Sequence, residues 1–173
     1  MPIPILFQTH LVLGYVAWLL AFFSYILPKF RTMEPVAVQR FIATLHSFRF
    51  FGLVFILPGV VGPHLPASFA TCAAWGDFAT GVVAMLALLT VRIRPLFLLF
   101  VVAYTLLGIG DLLIDYARAV QANLPAVAGD LGAAYIIPVV YVPLLMITHV
   151  TALYWLVRRS AKTAPAAKIE KIA

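Results

Sequence analysis

Cysteine is nearly missing from this chain: Cys72 stands alone. One thiol excludes an intrachain disulfide framework and any paired-cysteine redox or zinc motif. At the start of a hydrophobic run it reads as inert. Charge is scarce as well. Asp, Glu, Lys and Arg make up 10% of the residues, whereas a soluble domain carries roughly 25%, so folding in water is excluded. There is no glycine-rich phosphate loop, no GxSxG and no HExxH, which leaves ATP-driven, serine-hydrolase and zincin chemistries without support. Lys29 falls in a connector and no lysine lies inside an apolar run, so a retinal Schiff base has no anchor. The N-terminal stretch "MPIPILFQTHLVLGYVAWLLAFFSYIL" has no basic residues before its apolar part. That part is also too long for a signal peptide, so it reads as a retained first transmembrane helix.

What is present is apolar. Sixty-four per cent of the 173 residues are hydrophobic, and the mean hydropathy is +1.06. A spanning helix needs about 20 mostly apolar residues. Five stretches qualify: Ile5–Leu27, Phe41–Val61, Ala70–Thr90, Pro95–Ala117 and Leu131–Val157. Breakers separate them, among them Pro28, Pro35, "GPHLP" (62–66), Pro125 and Gly129. The expected fold is all-α: a polytopic five-transmembrane-helix bundle over 1–157, with a basic cytoplasmic tail over 158–173. Every Lys and Arg except Arg49 and Arg118 falls in the first-to-second connector, the third-to-fourth connector or the tail. By the positive-inside rule this puts the N-terminus outside and the C-terminus in the cytoplasm. The expected location is a plasma membrane, for a bacterium the inner membrane. The net charge of +6 then marks membrane edges and not a nucleic-acid partner; the expected partners are the lipid bilayer and a membrane-protein complex or a second copy of the chain. "WGD", "IGD" and "AGD" recur without matching flanks. Five segments cannot form two equal halves, which disfavours an inverted-repeat transporter.

Depth along each helix sorts the ionisable residues. At 1.5 Å per residue, His46, Arg49 and His149 lie roughly 9–13 Å in from the cytoplasmic side. Asp77 and Asp111 lie roughly 9–10 Å in from the outer side, at the level of His10. Two polar layers are therefore expected, with Asp115, Asp130 and His64 nearer the outer water, where Asp115 reads as an ordinary solvated residue. α-Helical periodicity puts His46, Arg49, Leu53 and Ile56 on one face, and Tyr104, Gly108, Asp111 and Asp115 on another. Pro138 and Pro143 each remove an N–H and free a carbonyl one turn back. A kink or cavity is expected in the outer half of the last helix.

Ionisable groups in spanning helices are costly and are functional candidates by default. The inner layer suggests haem b held by His46 and His149, with Arg49 on a propionate; the plainer reading is a His–Arg hydrogen-bond network, or an Arg49 that snorkels to the cytoplasm. His10, Asp77 and Asp111 suggest a divalent metal site or a proton relay in an oligomeric proton-coupled transporter. The plainer reading there is a structural cluster salt-bridged to Arg49 or Arg118. "FRFF" (48–51), Trp18, Trp75 and Trp155 could line a quinone, or simply face lipid and the interfaces. The leading expectation is a haem- or quinone-associated redox or ligand-binding membrane subunit. The alternatives are the transporter and an accessory or assembly subunit without site chemistry.

Overall fold

The structure, a computed structural model, describes residues 1–163 and the side chains of residues 1–158. The tail from residue 164 on lies outside the described residues. The described chain is helical, with no strand. The first helix is continuous over Ile3–Thr32: α1 (Ile3–Ala21), a π-helical turn (Phe22–Ile26) and α2 (Leu27–Thr32). Pro28 does not close it, contrary to the expectation from sequence. Its ring excludes the carbonyl of Ser24 and supplies no N–H, and the preceding turn widens to π geometry instead of ending.

The second segment differs most from expectation. α3 (Pro35–His46) begins well before Phe41, and at Ser47 the chain tightens into a 3₁₀ helix, Ser47–Ile56. Three residues per turn replace 3.6, and side chains three apart eclipse. The buried members of this stretch are Arg49, Gly52 and Phe55, continuing from buried His46. Leu53 and Ile56, placed inward by α-helical periodicity, are half-buried and exposed. Phe48 and Phe51 share the outer face with rings 6.3 Å apart and 12° from parallel.

α4 (Ala67–Leu89) and α5 (Arg94–Gln121) follow, and α4 packs along both the 3₁₀ helix and α5. A second 3₁₀ stretch, Leu124–Tyr135, precedes a π turn (Ile137–Tyr141) and α6 (Val142–Thr163). The last apolar span therefore runs over Ile137–Arg158 and not from Leu131. Residues 124–135 instead fasten to the 57–66 connector, through Gly62 N–H on the Asp130 carbonyl at 2.7 Å and His64 N–H on Asp130 Oδ1 at 3.3 Å. The proline effect expected in the last helix is present as the π turn. The carbonyl of Val140, within that turn, accepts from the Trp18 indole at 2.8 Å, which ties α1 to the irregular turn.

Four helices are long and apolar enough to cross a membrane: Ile3–Thr32, Ala67–Leu89, Arg94–Gln121 and Ile137–Arg158. Leu13, Leu20, Phe23, Leu99 and Leu106 on them are exposed, as lipid-facing residues should be. By length and composition these are the helices of a membrane protein. The second expected span is absent from this set because the change at His46 divides it into two shorter helices.

Candidate functional site

The 3₁₀ turn carries Arg49 into the middle of the bundle, where it is 0% exposed. It does not snorkel. Its Nε–H donates to Asp77 Oδ1 on α4 at 2.6 Å, and its Nη2 donates to Asp111 Oδ2 on α5 at 2.5 Å. Its Nη1 faces His149 Nε2 on α6 at 3.1 Å and the Gly108 carbonyl at 3.5 Å. One planar guanidinium thus ties the 3₁₀ helix to α4, α5 and α6. Its five N–H donors in a fixed fork suit such a junction, where a lysine's point charge would not. Pairing offsets part of the large cost of taking a guanidinium and two carboxylates out of water.

The two expected layers are therefore one cluster. The long side chain of Arg49 spans the gap between them, and the larger rise of the 3₁₀ helix carries Arg49 deeper than α-helical spacing would. Glycines make the approach possible. A Cβ at Gly52 would run into Asp77, one at Gly76 into Asp111, and one at Gly108 into His149 and Arg49 Nη1.

Beside the guanidinium, His46 and His149 lie face to face, with ring centroids 3.9 Å apart and planes tilted by 35°. Tyr104 covers His46 at 5.4 Å. Thr148 donates its hydroxyl hydrogen to the helix backbone, to Leu144 O at 2.8 Å, so it accepts from His46 Nε2 at 3.1 Å. Arg49 has no acceptor atom, so His149 Nε2 accepts and its proton sits on Nδ1. The Nδ1 atoms of both imidazoles and the Tyr104 hydroxyl are buried without a hydrogen-bond partner among the described residues.

Haem b does not fit this pair. Bis-imidazole ligation needs the two rings on opposite sides of a porphyrin, each aiming a nitrogen at the iron. Here the rings are in direct contact, and their Nε2 atoms are engaged by Thr148 and Arg49. The three-residue metal set is not gathered either. Asp77 and Asp111 meet on Arg49, whereas His10 is exposed and holds the Tyr135 hydroxyl at 2.8 Å. Among the described residues no group of three or more His, Cys, Asp or Glu side chains is placed to hold a metal ion. The aromatic candidates do not share one site: Phe48 and Phe51 line an apolar groove with Leu45 and Tyr141, Trp75 is exposed, Trp155 packs on Phe30, and Trp18 is on Val140.

On the far side of Asp77 the bundle opens into a cavity of about 380 Å³. Its walls are mostly apolar, from Phe7 and Leu11 of α1, Phe55, Phe69, Leu112 and Val142, and Pro138 of the π turn contributes. Asp77 is the wall shared with the Arg49 cluster, and Asp115 lies on the same cavity. Asp115 is not the solvated residue expected from its position near the helix end. It is half-buried, and its Oδ1 is buried without a partner among the described residues. The sequence carried a signal for Gly52, three residues after Arg49 and six after His46, but only to a reader using a period of three. For the cavity it carried only the two prolines.

The comparisons add a family without a known activity. The model of a domain of unknown function, DUF8737, matches residues 6–157, and the chain belongs to that family. No curated protein and no solved structure matches it.

Proposed function

We propose that this member of the DUF8737 family crosses the membrane five times and binds a small amphiphilic molecule in the cavity beside the Arg49 cluster. The fifth crossing is the composite Pro35–Ile56. Twelve α-helical and ten 3₁₀ residues extend about 38 Å at their respective rises, more than the roughly 30 Å hydrocarbon core. With five crossings the basic connectors share one side, and the positive-inside rule makes that side cytoplasmic. A bacterial inner membrane is the setting this orientation suits.

The observation that carries the reading is the cavity of about 380 Å³ with two carboxylates on an otherwise largely apolar wall. Small-molecule sites are concave and mostly apolar, with a few placed polar groups that fix orientation. Here the apolar wall takes the body of the ligand, and Asp77 and Asp115 set its polar end. Arg49 makes Asp77 rigid, so one end of the site is pre-organised, which lowers the ordering cost of binding.

Equilibrium binding of 4-butylbenzyl alcohol to the protein in phosphatidylcholine nanodiscs tests this, with empty nanodiscs as the partition control. Saturable binding is expected. Ala119→Trp, which places an indole on the cavity wall, should weaken it roughly tenfold or more while the melting transition is kept. Equal binding by a folded Ala119→Trp protein contradicts the reading.

A further inference from the structure

We infer that the polar end of the ligand is a cation, an ammonium on an apolar body, received by Asp115. This rests on the cavity reading above and narrows it to a ligand class. Three carboxyl groups, Asp77, Asp111 and Asp115, lie around one guanidinium, and Arg49 spends its donors on the first two. Asp115 receives none of them. The cavity wall holds no Lys, Arg or His. Arg118, one turn beyond Asp115 on α5, lies in a separate groove with Ser68 and Cys72, where it donates to the Ser68 carbonyl at 3.5 Å.

An anionic head in this cavity would meet two carboxylates and no cation. A neutral head would leave Asp115 without a counter-ion, so the carboxyl would have to take up a proton. A cationic head meets the Asp115 carboxylate on the cavity wall, to which Arg49 gives none of its donors. Charge-assisted hydrogen bonds of this kind are about twice as strong as neutral ones. Tyr15 and Tyr116 line the same cavity, and aromatic faces attract ammonium groups. Their apolar neighbours accept the body of the ligand.

The test uses three molecules of one shape in phosphatidylcholine nanodiscs: 4-butylbenzylammonium, 4-butylbenzyl alcohol and 4-butylbenzoate. The ammonium is expected to bind roughly tenfold or more tighter than the alcohol, the worth of a charge-assisted hydrogen bond, and the benzoate more weakly than both. Asp115→Asn should abolish the advantage of the ammonium over the alcohol, with the melting transition showing that the variant is folded. Equal binding of ammonium and alcohol by the wild type overturns the inference and leaves the cavity reading standing. So does an ammonium advantage that survives in folded Asp115→Asn. Absence of saturable binding by all three overturns both.

Discussion

Asp111 and Asp115 stand one turn apart on α5, but they have different partners. Asp111 is held by Arg49 at 2.5 Å, with Gly76 of α4 pressed so close that a Cβ there would collide with it. Asp115 faces a cavity and keeps one oxygen without a partner among the described residues. The first region is a closed ionic junction that ties helices together. The second is an open polar end on an apolar cavity. The same side chain ties helices together in one place and lines a cavity in the other, and its partners decide which.

The largest effect should come from breaking the closed side. Arg49→Met leaves Asp77 and Asp111 buried without their guanidinium. Loss of one partner from a buried ionic cluster costs about 3–5 kcal/mol, to be read from SDS-titration unfolding in detergent. The open side should hardly respond in stability. Asp111→Asn removes a charged acceptor and is expected to cost about 1.5–3 kcal/mol, whereas Asp115→Asn, whose Oδ1 has no protein partner to lose, should cost under about 1 kcal/mol. Equal costs for the two aspartates would erase the distinction between the regions.

How much of this was legible beforehand differs from element to element. Hydropathy located the four helices that are long and apolar enough to cross a membrane, because a spanning helix must be apolar for some 20 residues whatever its neighbours are. The polar residues of the cluster stood out for the same reason, since charge is costly there. Their grouping did not follow. Depths counted at 1.5 Å per residue treat Ser47–Ile56 as α-helix, but it is 3₁₀, and the buried face runs His46, Arg49, Gly52, Phe55 in place of the α-helical set. That choice is tertiary. It puts Gly52 against Asp77 and delivers the guanidinium to two other helices. Depth groups His10 with the aspartates, but depth says nothing of rotation about the bundle axis. Its partner is Tyr135, 125 residues away in sequence. The distance of Asp115 from the helix end does not register a cavity to which α1 and the π turn contribute.

The ionic junction is tested most directly by comparing Arg49→Met with Arg49→Met/Asp77→Asn/Asp111→Asn in the same unfolding experiment. If uncompensated carboxylates cause the loss, removing their charge should restore roughly half or more of the stability that the single substitution removes. A single variant as stable as the wild type, or a triple variant no more stable than the single, would contradict an Arg49 that holds the bundle together through Asp77 and Asp111.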